Sequence, residues 1–199
     1  MERGELAPPV FLYTARVSNP KPIFLVGMMG AGKSTVGPRL ASRLGRAFVD
    51  TDHEIERRAG RAIAEIFAHD GELHFRGLEC EAIEAAAEES AVVALGGGAI
   101  AQPGAVDRLR AWGIIIHLDA SIACLLERIA DTASRPLLAG LDPAGRAAKL
   151  EALLESRRPY YAAAHYRVDA SGSPDAAVER IVALMSGPDD GAAVIRARS

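Results

Sequence analysis

A glycine-rich segment that joins an apolar run to a helical pattern constrains this fold more than any other feature. Residues 27–35 read Gly-Met-Met-Gly-Ala-Gly-Lys-Ser-Thr and match the pattern G-x-x-x-x-G-K-[ST]. The apolar run Pro22–Val26 precedes the segment and is too short for a helix. After it, Val36, Leu40 and Leu44 recur every four residues and so share one helix face. The sequence therefore predicts a strand that turns tightly into a helix.

This segment has the chemistry of a phosphate-binding loop, or P-loop. Its glycines let successive backbone N–H groups surround an anion, and the helix that follows adds the partial positive charge of its N-terminus. Within the loop, Lys33 can reach the β- and γ-phosphates of ATP, and the Ser34 hydroxyl can bind Mg²⁺. The residues predicted to contact the nucleotide here are Gly30, Ala31, Gly32, Lys33, Ser34 and Thr35. A chance glycine-rich turn is disfavoured because a strand and a helix flank the match.

The rest of the chain alternates short apolar runs with longer segments of helical period, which is typical of βαβ units with a covered parallel sheet. The predicted strands are Pro22–Val26, Ala47–Asp50, Val92–Leu95, Ile114–Leu118 and Tyr166–Val168. We therefore predict the α/β class: a three-layer α/β/α sandwich around a five-stranded parallel sheet, like that of P-loop nucleoside-monophosphate kinases. One domain is expected over residues 21–186, with extensions at residues 1–20 and 187–199 that lack periodicity.

Charge and composition argue against several classes of partner. The net charge is −3 and the pI is near 6.0, so no global basic field would attract nucleic acid or an anionic membrane. No uncharged apolar run is long enough to span a bilayer, and the N-terminus does not have the pattern of a signal peptide. Cys80 and Cys124 stand alone, without histidines at metal-ligand spacing. We expect a monomeric, cytoplasmic protein that binds neither nucleic acid nor membranes.

A P-loop alone does not separate kinases from other nucleotide-binding proteins. The chain lacks an N-K-x-D guanine-recognition pattern, which argues against a GTPase. The second predicted strand ends in Asp50-Thr51-Asp52, and in an extended segment residues two apart project to the same side. One carboxylate could then support the Mg²⁺ shell, and the other could accept a proton from an attacking hydroxyl. The alternative is a helix N-cap pair, since Asp is a good cap before His53-Glu54.

Several motifs, in this order and spacing, together resemble the shikimate kinase family. G-M-M-G-A-G-K-S-T is followed by D-T-D, then by F-x-x-x-G-E-x-x-F-R-x-x-E over residues 67–79, and then by a triple glycine at residues 96–98. Residues 135–138 read R-P-L-L and resemble that family's lid, and residues 155–161 resemble its E-x-R-x-P-x-Y segment. The resemblance covers roughly residues 22–186.

The resemblance implies how an acceptor would be held. Arg76 and Arg157 would bind the carboxylate of shikimate, and two guanidinium groups suit this task because their hydrogen bonds are charge-assisted. Asp52 would orient the 3-hydroxyl and take its proton. The triple glycine that would contact the acceptor consists of Gly96, Gly97 and Gly98, with Gly97 acting through its backbone. The alternatives are an ordinary surface ion pair between Arg76 and Glu79, and a merely flexible glycine turn.

The same resemblance implies contacts around the nucleotide. Residues 131–145 would form a lid whose Arg135 brings a positive charge onto the transferring phosphoryl group. The alternative is that Arg135 only caps a loop. Arg128 and Pro174 occupy the positions that enclose adenine in the family, and their contacts are expected to be mostly to backbone.

Together these features imply a kinase that uses ATP and Mg²⁺ to phosphorylate the 3-hydroxyl of shikimate. The products would be shikimate 3-phosphate and ADP, a step of chorismate and aromatic amino acid biosynthesis. The implied catalytic residues are Lys33, Asp52 and Arg135, and the implied metal ligands are Ser34 and Asp50. Another small-molecule or nucleoside-monophosphate kinase on the same scaffold is the nearest rival. A ligand sensor for transcription would need a helix-turn-helix module, and the segment before the first strand is too short for one.

One residue departs from the family's pattern. Pro38 lies in the first turns of the predicted helix, where the family more often has a charged residue. Proline removes the backbone hydrogen bond to the Ser34 carbonyl, four residues back. We therefore predict a local kink that leaves the Ser34 hydroxyl free for Mg²⁺.

Overall fold

The computed structural model describes three parts of the chain, residues 21–129, 137–138 and 140–186. The two predicted extensions, residues 1–20 and 187–199, lie outside the described residues. So do residues 131–136 and 139 of the predicted lid. The division of the chain into a domain, a lid and two extensions therefore stays a prediction.

The described residues form one five-stranded parallel sheet. Its strands are Ile23–Val26 (β1), Phe48–Asp50 (β2), Val92–Ala94 (β3), Ile114–Asp119 (β4) and Tyr166–Asp169 (β5). Their order across the sheet is β2-β3-β1-β4-β5, and each neighbouring pair is parallel. Every strand predicted from the sequence is present, and its ends agree to within one residue. The predicted α/β class is confirmed.

The described residues also form seven α-helices and a short 3₁₀ helix at Ala99–Ala101. The α-helices are Lys33–Leu44 (α1), Thr51–Ala59 (α2), Ile63–Ala87 (α3), Ala105–Trp112 (α4), Ile122–Arg128 (α5), Pro143–Ala162 (α6) and Pro174–Met185 (α7). Helix α1 packs against α7, whereas α6 packs against α5 and the 3₁₀ helix. These groups of helices flank the sheet and complete the predicted three layers. In the described ranges, no helix combines the length and the apolar character needed to cross a membrane.

The central strand β1 locates both the core and the functional edge of the sheet. Its residues are fully buried because β3 and β4 pair with it on either side and helices cover its faces. Since the strands are parallel, their carboxyl ends meet at one edge of the sheet, where ligands of such folds bind. The P-loop follows β1 and the triple glycine follows β3, so both motifs lie at this edge.

Helices α2 and α3 pack together and bury an apolar cluster of their own. The buried members of this cluster are Ile55, Ile66, Phe75 and Ala82. Helix α3 is interrupted at Gly71, where φ is 83° and ψ is 171°. This helix pair carries Asp52 and Arg76, two residues of the predicted acceptor site.

Candidate active site

The P-loop backbone adopts conformations that glycine takes more easily than any other residue. Gly27, Gly30 and Gly32 have φ values of 148°, 79° and 97°, in the range where a side chain is strained. Space is also short at Gly27, where an added Cβ would lie 2.5 Å from the Leu118 carbonyl oxygen. Helix α1 begins directly after Gly32, so its first N–H groups face the loop. The loop therefore offers backbone donors to an anion.

The Lys33 ammonium group lies against the P-loop. Its Nζ donates to the carbonyl oxygens of Gly27 at 2.8 Å and of Met28 at 3.0 Å. A lysine ammonium is a compact charge with three donors on a flexible stem. It can therefore stay bonded to the loop and also reach a phosphate that the loop binds.

Ser34 and Asp50 are in contact at the edge of the P-loop. The Ser34 Oγ donates to Asp50 Oδ2 at 2.6 Å, so the prediction from Pro38 that this hydroxyl would be free is wrong. Asp50 also caps α2 by accepting from the backbone N–H groups of Asp52 and His53. The helix-cap interpretation of Asp50 is therefore correct, and the cap leaves its second carboxylate oxygen directed at Ser34.

The donor atoms at this position fit Mg²⁺, which prefers hard oxygen ligands. The contact between Ser34 and Asp50 brings a hydroxyl oxygen and a carboxylate oxygen together. Among the residues that the structure describes, no group of three or more His, Cys, Asp or Glu side chains could hold a metal ion. An ion here would therefore take its other ligands from phosphates and water, as Mg²⁺ commonly does.

Asp52 approaches the cleft from the first turn of α2. The extended geometry predicted for residues 50–52 is wrong, because α2 already begins at Thr51. The fully buried Thr51 side chain donates to the Ala94 carbonyl oxygen and accepts from the Gly96 N–H, both at 3.2 Å. Thr51 thereby ties the start of α2 to the end of β3.

Gly96 leaves room for two carboxylates. An added Cβ there would lie 2.7 Å from Asp52 Oδ1 and 2.8 Å from Glu79 Oε1. Burial raises the pKa of Glu79; the hydrogen bond and charge of Arg76 oppose this shift, and the nearby charge of Asp52 adds to it. Gly96 is therefore required for space beside this pair of acids.

Arg76 and Glu79 form a partly buried pair in which Glu79 is the buried member, so the alternative of an ordinary surface pair is wrong. Arg76 Nη1 donates to Glu79 Oε2 at 2.8 Å, and the Glu79 side chain is only 3% exposed. On its other edge, Arg76 Nη2 donates to Oε1 of the exposed Glu72 at 3.0 Å. Two carboxylates on one helix therefore fix the orientation of the Arg76 guanidinium group.

Two guanidinium groups converge on the triple glycine. An added Cβ at Gly98 would lie 3.5 Å from both Nη atoms of Arg76 and 3.6 Å from Nη2 of Arg157. An added Cβ at Gly97 would lie 3.5 Å from Nη1 of Arg157. The space beside these glycines is therefore suited to a carboxylate that accepts from both arginines.

Side chains hold the triple glycine in place, which contradicts the flexible-turn alternative. Thr51 accepts from its first N–H, as described above. The Tyr161 hydroxyl donates to the Gly97 carbonyl oxygen at 3.3 Å, and the Gln102 side chain donates to the Gly98 carbonyl oxygen at 3.5 Å. Each glycine therefore has a side-chain partner from a different element.

A cleft of about 480 Å³ runs along the P-loop. Besides the P-loop itself, the predicted site residues that line it are Asp50, Asp52, Gly97, Arg128 and Pro174. The Arg128 guanidinium donates to the carbonyl oxygens of residues 170–172 at 2.8 to 3.0 Å. Its orientation is therefore set by the backbone that precedes Pro174. Arg135 lies outside the described residues.

A comparison with known protein families identifies the family to which the chain belongs. A family model described as shikimate kinase matches residues 29–186. The chain belongs to the shikimate kinase family. Among the relatives of this family member, the shikimate kinase of Synechococcus sp. (strain RCC307) is 47% identical over 168 residues, which cover 83% of the chain and 84% of the relative. The shikimate kinase of Mycobacterium avium (strain 104) is 46% identical over 168 residues, which cover 83% and 93%.

Solved structures of the shikimate kinase family share the fold. Shikimate kinase from Acinetobacter baumannii, in complex with shikimate, aligns with a TM-score of 0.76 at 38% identity and covers 86% of the chain and 96% of its own length. Shikimate kinase from Bacteroides thetaiotaomicron aligns with a TM-score of 0.79 at 31% identity and covers 83% and 98%. The resemblance deduced from the motifs is confirmed.

Two buried side chains support the site of this family member without belonging to its predicted site residues. Tyr161 is 3% exposed and contacts the triple glycine, and His117 stacks on it with ring centroids 4.4 Å apart. The position of Tyr161 four residues after Arg157, on the same helix face, was an available signal. The contact of His117 joins β4 to α6, and no local pattern predicts such a contact.

Proposed function

We propose that this kinase transfers the γ-phosphoryl group of ATP to the 3-hydroxyl of shikimate and releases shikimate 3-phosphate and ADP. The observation that carries the proposal is the convergence of Arg76 and Arg157 on Gly98, beside the carboxylate of Asp52. A small hydroxy acid needs both features, cations for its carboxylate and a base for its reacting hydroxyl. The relative from Acinetobacter baumannii, solved with shikimate, supports this choice of acceptor. The reaction would be a step of aromatic amino acid biosynthesis.

The P-loop would bind the phosphates of ATP through backbone N–H groups of residues 30–35. Lys33 would stabilise the charge on the γ-phosphoryl group as it transfers, and such electrostatic stabilisation is a major part of phosphoryl-transfer catalysis. Arg128 and Pro174 would enclose the adenine. Because Arg128 is already held by backbone carbonyls, it would offer a preset surface to the base.

Ser34 and Asp50 would hold Mg²⁺, the first through its hydroxyl oxygen and the second through the water shell of the ion. Bound there, Mg²⁺ would neutralise negative charge on the phosphate oxygens. Asp50 would at the same time keep α2 capped, because the cap uses Oδ1 and the contact with Ser34 uses Oδ2. The metal site and the start of α2 would therefore share one side chain.

In the chemical step, the acceptor oxygen forms a bond to the γ-phosphorus of ATP. Asp52 accepts the proton of the 3-hydroxyl, and the bond between the γ-phosphorus and the bridging oxygen breaks, so that ADP leaves with that oxygen. Arg76 and Arg157 fix the acid, and the Gly97 backbone contacts a hydroxyl. Arg135 would bring a further positive charge to the transferring group. These residues mainly position the reactants.

Acceptor specificity tests this proposal. The purified full chain is assayed for ADP release with ATP, Mg²⁺ and one acceptor at a time: shikimate, gluconate or AMP. We expect turnover with shikimate, because it carries both a carboxylate and the reacting hydroxyl. Turnover with AMP alone would contradict the proposal and favour a nucleoside-monophosphate kinase.

Adjacent arginines on α6 provide a matched pair of variants. Arg157→Gln should raise the KM for shikimate by about 10- to 100-fold, because a charge-assisted hydrogen bond is lost. Arg158→Gln should leave this KM unchanged, since the Arg158 side chain is 70% exposed and pairs with Glu155 at the surface. Equal effects of the two substitutions would argue against the assigned acceptor site.

We also propose a cytoplasmic location and a monomeric state. The free thiols of Cys80 and Cys124 suit a reducing compartment. Sedimentation of the purified chain at assay concentration would measure its oligomeric state.

A further inference from the structure

Tyr161 contacts two separate parts of the acceptor site. It stands in the last turn of α6, is 3% exposed and follows Arg157 by one helical turn. Its hydroxyl donates to the Gly97 carbonyl oxygen at 3.3 Å. Burial raises the pKa of Tyr161 and the charge of Arg157 opposes this rise, so the guanidinium group lies near the phenol. The hydroxyl therefore ties the last turn of α6, the helix that carries Arg157, to the glycine turn.

Arg157 is held by weaker partners than Arg76 is. Arg76 is held by the carboxylates of Glu72 and Glu79. Arg157 instead donates to the Met28 sulfur at 3.7 Å, and a thioether is a weak acceptor. The position of Arg157 therefore depends more on the packing of α6, whose last turn Tyr161 ties to the glycine turn.

The glycine turn also needs a constraint from outside. Glycine has the greatest backbone freedom of all residues, so a run of three does not hold its shape by itself. The bond from Tyr161 fixes the plane of the peptide between Gly97 and Gly98. In a trans peptide the N–H points opposite to the C=O, and no cis peptide occurs among the described residues. The Gly98 N–H is thereby directed away from Tyr161.

The Tyr161 ring is itself held by His117. The two rings stack with centroids 4.4 Å apart and planes inclined by 10°. His117 lies on β4 opposite Val26, the last residue before the P-loop. Burial lowers the pKa of His117 to about 4, so the imidazole packs as an uncharged ring at neutral pH. The stack fixes the position of the Tyr161 ring. The hydroxyl is thereby held beside the Gly97 carbonyl oxygen.

We propose that Tyr161 is a positioning residue for acceptor binding, which orients the peptide between Gly97 and Gly98 through its hydroxyl and ties this turn to the helix that carries Arg157. The inference rests on the proposed function, because the peptide and Arg157 belong to the proposed shikimate site. ATP would instead be bound by the P-loop and by Arg128. Loss of the hydroxyl should therefore affect the acceptor and spare ATP.

The substitution Tyr161→Phe tests the inference, because it removes the hydroxyl and keeps the stacked ring. With the full chain, ATP and Mg²⁺, we expect the KM for shikimate to rise about 3- to 10-fold, as for the loss of a hydrogen bond between uncharged groups. The KM for ATP should stay within about twofold and kcat within about threefold. The matched control is Tyr160→Phe, the adjacent tyrosine, which is 37% exposed and should change none of these constants.

Thermal stabilisation by ligands gives a second readout that does not require turnover. Shikimate should stabilise Tyr161→Phe less than the unsubstituted chain, whereas ATP should stabilise both equally. An unchanged KM for shikimate would overturn the inference. Equal losses for shikimate and ATP would also overturn it, because they would indicate a merely structural role. Absence of shikimate turnover in the unsubstituted chain would instead overturn the proposed function, and this inference with it.

Discussion

Gly32 in the P-loop and Gly98 beside the acceptor site differ in what a side chain would disturb. At Gly32 the φ of 97° disfavours a side chain, although an added Cβ would meet no atom closer than 3.8 Å. At Gly98 the φ of −102° suits any residue, but an added Cβ would lie 3.5 Å from the Arg76 guanidinium. The first glycine provides a backbone conformation, and the second provides space for a ligand.

This difference reflects how the two halves of the site are built. The phosphate half is one continuous segment, residues 27–35, and its geometry comes from local backbone conformation. The acceptor half brings together side chains from α2, α3 and α6 and a turn after β3. Changes in the phosphate half should therefore act through charge and backbone, and changes in the acceptor half through space and orientation.

The largest effect is expected from removing the charge of the phosphate half. Lys33→Ala should lower kcat by about 10²- to 10³-fold, as for the loss of one group that stabilises a transition state. The KM for shikimate should change little, because Lys33 donates to the carbonyl oxygens of Gly27 and Met28 within the P-loop. Steady-state kinetics measures both constants, and the exposed Lys149, replaced by Ala, is the control. A rise in the KM for shikimate with unchanged kcat would contradict the division into halves.

Acid should weaken the packing that supports the acceptor half. Burial, with help from the charges of Arg167 and Lys33 and against that of Asp119, lowers the pKa of His117 to about 4. The unfolded chain therefore binds a proton between pH 6.5 and 4 that the folded chain does not. His117 contributes stability that is full above pH 6.5 and is lost as pH falls to about 4, at most about 3 kcal/mol.

The variant His117→Phe isolates this effect, because it keeps a ring beside Tyr161 and cannot titrate. Urea unfolding at neutral pH and near pH 4.5 should show a smaller loss of unfolding free energy in the variant than in the unsubstituted chain. His165, whose pKa burial also lowers, is present in both and cancels in the comparison. Equal losses of unfolding free energy in the two proteins would show that His117 does not cause the sensitivity to acid.

A pair of alanine substitutions tests the contrast between the two glycines. Gly32→Ala should cost about 1–2 kcal/mol of unfolding free energy, since the left-handed region is unfavourable for alanine, and should raise the KM for ATP. Gly98→Ala should leave the unfolding free energy almost unchanged and raise only the KM for shikimate. Denaturant titration and kinetics on both variants provide the comparison. A large loss of stability in Gly98→Ala would show that this glycine serves the backbone after all.

The smallest effect is expected away from both halves. Arg39 on α1 pairs with Asp175 on α7 at 2.9 Å, and the side chains are 47% and 80% exposed. Such surface pairs contribute little, so Arg39→Ala should change the unfolding free energy by less than about 1 kcal/mol and leave kinetics unaltered. An effect as large as that of Gly32→Ala would mean that contact between α1 and α7 supports the P-loop.

Local patterns predicted the strands correctly, whereas the geometry after β2 and the free Ser34 hydroxyl were predicted wrongly. Runs of apolar, mainly β-branched residues located every strand, because such side chains suit a covered sheet. The extended geometry of Asp50-Thr51-Asp52 was wrong, since the same letters also suit a helix N-cap, and the cap is what the structure contains. The sequence also left open whether Arg76 binds the acceptor or only forms a surface ion pair with Glu79. The burial of Glu79 separates these alternatives, and it depends on how α3 packs against the rest of the chain.

The P-loop, the strands and the family of this protein can be predicted from residues that are close together in the chain. The burial of Glu79, the meeting of two guanidinium groups beside Gly98, and the bond from Tyr161 to Gly97 across 64 residues are visible only once the chain is folded. Covalent spacing sets local conformation within a few residues. Contacts over longer separations depend on how helices and strands pack, and that packing is the outcome of the whole chain.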